Sequence, residues 1–157
     1  MESSYLTTTF ANGVMDTVIQ AKGRVFLQAR DEQGALVWEI DNPNTVVNLG
    51  RECLAHLLAG DTTNRIVTKI GFGTSNATTL PTTTALTGAF LKAIDGATYP
   101  TQTSVQFTFS LGASENNGMQ VEELGLLTAN NTLFARFRQS FQKTAGVTIN
   151  GLWQITF

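Results

Sequence analysis

Charge is scarce in this sequence. Charged side chains make up 14% of its 157 residues, against roughly 25% in ordinary soluble domains. A monomer keeps charge on its surface for solubility, so a surface of threonine, asparagine, glutamine and serine suits a protein packed against copies or partners. The basic residues form no cluster and the pI is near 5.3, which leaves no electrostatic footprint for a phosphate backbone. Nucleic acid is therefore not an expected partner. Cysteine occurs once, at Cys53, so no intrachain disulfide framework exists. No run of about 18 apolar residues is present, so no membrane span is expected. The opening M-E-S-S-Y-L-T-T-T-F has neither the basic region nor the apolar core of a signal peptide. These features together fit synthesis in a reducing cytoplasm.

What is present is enough for a core. The hydrophobic fraction is 42% and the net charge is −2, and a chain of this length is expected to fold as one domain. Residues 1–13 read as an N-terminal arm with Tyr5, Leu6 and Phe10 as apolar anchors for an adjacent subunit, and residues 14–157 as a single β-rich domain. Residues 14–20 suggest a strand, broken at Lys22-Gly23. Residues 24–30 and 35–40 flank D-E-Q-G and predict a hairpin. Val25, Leu27 and Ala29 share one face of its first strand, and Leu36, Trp38 and Ile40 one face of the second. Asp41-Asn42-Pro43-Asn44 then predicts a turn.

A helix follows, with Asn48 as its N-cap and Gly60 as its C′ residue. Leu54, Leu57 and Leu58 supply its apolar stripe, with Cys53 beside them. So short a helix is stable only when pressed onto a sheet. Next, Ile66, Thr68, Ile70 and Phe72 alternate with Val67, Lys69 and Gly71 as a strand, which ends at a bend at Gly73-Thr74-Ser75-Asn76. Residues 77–85 read as an ordered surface loop and residues 86–94 as a strand, ended by Asp95-Gly96. Val105, Phe107, Phe109 and Leu111 give the cleanest half-buried strand. Residues 119–128 and 133–138 form a further hairpin, and residues 147–157 a last strand bearing Ile149, Trp153 and Ile155. Short strands at this spacing with one helix point to a mainly β fold: an antiparallel β-sandwich or open barrel with one short α-helix packed on it.

Few residues invite chemistry. Cys53 and His56 stand three apart on the helix, a spacing that a thiolate–imidazole pair uses. A short helix with an apolar stripe explains the spacing equally well, and no third orienting group stands nearby. Neither CxxC nor HExxH spacing occurs. Gly71-Phe72-Gly73-Thr74-Ser75 lacks the lysine of a phosphate loop. Glu122 and Glu123 are adjacent, so in a strand they point to opposite faces. One is expected at the surface; the other is expected inward, bonding to backbone or to an arginine such as Arg136 or Arg138. The expectation is no catalytic residue, no cofactor and no metal.

The order of segments resembles a family of tailed-bacteriophage virion proteins of the tail-fibre, collar or baseplate-associated kind. The resemblance rests on N-T-V-V-N-L-G-R-E-C-L-A-H-L-L-A-G at 44–60, I-G-F-G-T-S at 70–75 and V-Q-F-T-F-S-L at 105–111. It continues with V-E-E-L-G-L-L-T-A-N-N-T-L-F-A-R at 121–136, Lys143, and W-Q-I-T-F at 153–157. It implies a non-enzymatic structural subunit in the virion, present in the host cytoplasm during assembly, whose partners are copies of itself and other phage structural proteins. Two alternatives stand beside it. One is a head decoration or capsid-attached fibre subunit. The other is a carbohydrate-binding module for host recognition, with Trp38, Tyr99 or Trp153 as the stacking platform.

Overall fold

The computed structural model describes residues 7–9, 15–17 and 20–157. In chain order the elements are β1 (Thr7–Thr9), β2 (Met15–Thr17), β3 (Lys22–Arg30), β4 (Leu36–Val46), α1 (Asn48–Leu58), β5 (Val67–Gly73), β6 (Phe90–Ala93), β7 (Gly96–Thr101), β8 (Ser104–Leu111), β9 (Gln120–Thr128), β10 (Leu133–Gln142) and β11 (Thr148–Thr156). β1 and β2 pair with each other as a two-stranded ribbon, Thr7 opposite Thr17. The other strands form one antiparallel nine-stranded sheet in the order β6-β5-β9-β10-β4-β3-β11-β8-β7, curled strongly into a half-barrel. The chain is mainly β, as its alternating segments require.

β4 makes the curl. Its residues from Leu36 to Asn44 pair with β3, and its last two, Thr45 and Val46, pair with Arg136 and Ala135 of β10. One strand thus serves two wings, β4-β3-β11-β8-β7 and β6-β5-β9-β10. The predicted turn at residues 41–44 does not exist; those residues continue the strand, with Pro43 opposite Arg24 and Asn44 opposite Gly23. Pairing along the whole of β3 overrides the local turn preference. Pro43 is tolerated because β4 has a ladder on the β3 side alone there. For the same reason Lys22 and Gly23 open β3 rather than break the chain.

The wings face each other across the main core. Phe72 of β5 meets Phe109 of β8 edge-on, with ring centroids 6.2 Å apart, and Phe137 of β10 meets Trp153 of β11 at 6.4 Å. Val25, Leu27 and Ala29 are fully buried, as are Ile70, Leu111, Leu124 and Leu126. Burying one such large apolar side chain contributes about 1.5–3 kcal/mol, so these rows fix the strand register. Trp38 and Ile40 pack at the core margin, while Leu36 at the hairpin end is exposed. In β5 a register shift between Val67 and Lys69 reverses the expected parity. Val67 is buried and Ile66 exposed, and Ile70 and Phe72 stay inside.

α1 lies on β10; of the expected leucines, Leu54 packs against the core and Leu58 does not. Gly50 and Cys53 are its buried residues. A Cβ at Gly50 would collide with the Phe134 carbonyl oxygen, so the glycine sets how closely helix and strand approach. This close contact centres the buried stripe on Gly50, Cys53 and Leu54. Leu58, at the stripe margin and in the last helical position, is 92% exposed. Asn48 is the first helical residue rather than the cap; Val47 holds the cap position without a side-chain hydrogen bond. The Asn48 N–H instead donates to the Pro81 carbonyl at 2.8 Å. At the other end Gly60, with φ +85°, takes the expected C′ position. Gly60 N–H donates to Leu57 O and Asp61 N–H to His56 O, both at 3.0 Å, which satisfies the terminal carbonyls.

Residues 86–94 yield only a short edge strand, β6, and Leu86 belongs to the preceding loop. β7, which starts at Gly96, lies at the opposite edge.

Candidate functional site

The outer face of the second wing is roofed by residues 74–89, a stretch without regular strand or helix. Gly71 of β5 and Gly125 of β9 are cross-strand partners. A Cβ at either position would stand within 3 Å of Leu86 Cδ1, at 2.7 and 2.9 Å respectively. The paired glycines therefore form a notch that seats Leu86. Leu86 joins Leu49, Leu91, Val47, Leu127 and Leu133 in a second, smaller apolar cluster. This explains the glycine of I-G-F-G: it admits a side chain, not a phosphate.

Beside the notch lies the most polar buried cluster. Glu123 is 1% exposed and Arg136 2%. Arg136 Nε donates to Glu123 Oε2 at 2.6 Å. The guanidinium also donates to the Ala77 carbonyl at 2.7 Å, to the Ser75 carbonyl at 2.9 Å and to Thr79 Oγ1. Glu123 Oε1 accepts from the Thr87 N–H at 2.7 Å and from the Ser75 N–H at 3.2 Å. All the loop partners come from residues 74–89, so the pair clamps that loop to the sheet. The expected inward glutamate and its arginine are thus Glu123 and Arg136. Such a pair, with four of the five guanidinium N–H groups and both carboxylate oxygens hydrogen-bonded, organises structure.

Lys143 is the other buried ion. It is fully inaccessible, and its Nζ donates to Asn117 Oδ1 at 2.7 Å and to the Thr144 carbonyl at 3.1 Å. Burial lowers its pKa, opposed by the nearby charge of Glu115. Glu115 in turn holds Lys92 at 2.7 Å.

Cys53 and His56 share the helix but not a partner. Cys53 is fully buried, and burial pushes its thiol pKa up, against a smaller opposing pull from Arg65. His56 is partly exposed, and its Nδ1 lies 2.8 Å from Asp61 Oδ2. That contact lowers the Asp61 pKa. A thiol kept neutral in the core is a poor nucleophile. Among the described residues, no three His, Cys, Asp or Glu side chains gather in a way that holds a metal ion, and no helix is long and apolar enough to cross a membrane.

Of the aromatic platforms, Trp153 is 0% exposed and Trp38 packs against Phe141 as a tilted pair with centroids 5.1 Å apart. Tyr99 on β7 is 80% exposed. The proposed assembly contacts Tyr5, Leu6 and Phe10 lie outside the described residues. A further feature lies on the outer face of the first wing: a groove of about 200 Å³ lined by Arg24, Phe26, Asp41, Gln106, Leu152 and Gln154. The sequence marks Phe26 as outward, since it alternates with Val25 and Leu27. Only the strand register brings it to Leu152.

No family model, curated protein or solved structure matches the chain. Its function is read from its own residues.

Proposed function

We propose that the chain is a non-enzymatic structural subunit of a phage virion, in its tail, collar or baseplate, that assembles through its sheet edges and its N-terminal arm. The observation that carries the assembly reading is the outer edge of the half-barrel at β7. Five of the six residues of β7 are exposed and its far side has no strand partner among the described residues. An open edge is a template for a neighbouring chain. The other edge, β6, is four residues long and carries Lys92, and β7 carries Pro100. Short strands, lysine and proline limit unbounded edge-to-edge stacking. The ionisable groups of the interior are committed to holding loops, which suits a scaffold. The virion setting rests on the sequence resemblance alone.

Size-exclusion chromatography with light scattering tests the reading. The full chain is expected to run as a discrete oligomer, and a Tyr5→Ala, Leu6→Ala, Phe10→Ala variant as smaller species. A stable monomer that also fails to associate with tail, collar or baseplate components would overturn it.

A further inference from the structure

The outer face of the first wing is ordered by its register. One cross-strand row runs Glu39, Gln28, Asn150, Ser110. The next in this direction runs Asp41, Phe26, Leu152, Thr108, and the third runs Pro43, Arg24, Gln154, Gln106. Phe26 and Leu152 are therefore an apolar pair directly opposite each other, with polar rows on both sides. Leu152 is 36% exposed and Phe26 half-buried. The groove of about 200 Å³ lies over this pair and the third row.

Three properties define what fits. Arg24 Nε donates to Asp41 Oδ1 at 2.6 Å, so the ions at the rim neutralise each other and the groove favours an uncharged ligand. The apolar island is two side chains wide, far short of the roughly 1,200 Å² that a specific protein interface buries. The surrounding groups are planar amides and a guanidinium–carboxylate pair, which offer paired donors and acceptors beside an aromatic ring. A molecule with an apolar face and a rim of hydroxyls matches all three.

We infer that this groove is a binding site for a neutral saccharide, seating one pyranose ring. The C–H face of the sugar lies on Phe26 and Leu152. Its hydroxyls reach Gln106, Gln154 and the Arg24–Asp41 pair. Gln154 Nε2 meets Thr156 Oγ1 at 3.3 Å, a long hydrogen bond that a ligand hydroxyl displaces. The site is on a sheet face rather than an edge, so it stands independently of the assembly reading.

Saturation-transfer NMR of the full chain with the methyl glycosides of glucose, galactose, mannose and N-acetylglucosamine tests it. Transfer to ring C–H protons of at least one glycoside is expected. Phe26→Ala is expected to weaken that binding about tenfold, the scale of an aromatic contact. Gln106→Leu, which keeps side-chain bulk on the solvent face, is expected to weaken it with the unfolding midpoint unchanged. Absence of transfer from every glycoside, or transfer that persists unchanged in both variants, would overturn the proposal.

Discussion

Replacing Arg136 by alanine removes the clamp on residues 74–89 from its centre. The substitution deletes the guanidinium that binds Glu123, Ser75, Ala77 and Thr79. It also leaves the Glu123 carboxylate buried, with only the Ser75 and Thr87 N–H groups as partners. Breaking a buried ion pair by removing one member costs about 3–5 kcal/mol, because the surviving charge is uncompensated. For a domain of this length each kcal/mol lowers Tm by about 2–4 °C. A loss of about 4 kcal/mol therefore lowers Tm by about 8–16 °C. Differential scanning calorimetry reads that shift directly. Removing both charges by Arg136→Met with Glu123→Leu is expected to cost less than the sum of the single variants, since only the double variant leaves no stranded ion. The clamp also has a local signature. In Arg136→Ala, a protease selective for aliphatic residues is expected to cut near Leu86 before the sheet unfolds, because that leucine's roofing loop has lost its anchors. A Tm within about 2 °C of the parent, with the loop uncut, would refute the view that this pair holds the loop.

Two further outcomes follow from the buried and paired groups. Cys53, buried with its thiol pKa raised above 9.0 by burial, is expected to resist a chromogenic disulfide reagent at neutral pH and to react fully in denaturant; rapid native reaction would contradict its placement. The Glu115 pKa is lowered from 4.5 chiefly by its hydrogen bond from Lys92, then by the Gly112 N–H, with Lys143 adding a smaller pull. A depressed carboxylate pKa contributes stability that is present above 4.5 and is lost as the pH falls through the folded-state value. Lys92→Met is expected to flatten the acid limb of a stability–pH curve below that point, and an unchanged limb would remove Lys92 as the cause.

Side-chain alternation made part of this fold legible in advance. It placed Val25, Leu27 and Ala29, the Phe107–Leu111 row, and Ile149, Trp153 and Ile155 on inward faces, because a strand with one buried side carries its orientation in its own residues. That one of the adjacent Glu122 and Glu123 is buried was legible from their opposite faces, and Arg136 was one of the two arginines expected to meet it; which glutamate it is was not legible, because β9 is buried on both faces. Other features depend on partners distant in the chain. Asn42 and Pro43 have local turn chemistry, and only the ladder with β3 holds them extended. The register shift between Val67 and Lys69 turns only the start of β5 over by one residue, which no periodicity within β5 announces. β7 is an edge strand and buries almost nothing, so it has no apolar alternation to find. Leu58 completes a leucine stripe on paper, yet the helix is drawn down at Gly50, whose lack of a side chain is a weak sequence signal. The groove over Phe26 and Leu152 was hidden for a related reason, since the two meet only through the pairing of β3 with β11.

That pairing also governs how the chain reaches its final form. β11 lies between β3 and β8, with Thr148 opposite Arg30 and Ile149 opposite Leu111. The first wing therefore cannot close until a segment from the far end of the sequence inserts at its centre. Contacts of such wide separation make folding slow, in the millisecond-to-second range of β-rich domains. During that interval β3 and β8 both present bare backbone donors and acceptors to any other chain nearby. The step that completes the monomer is thus also the one at which two copies are most able to exchange a strand.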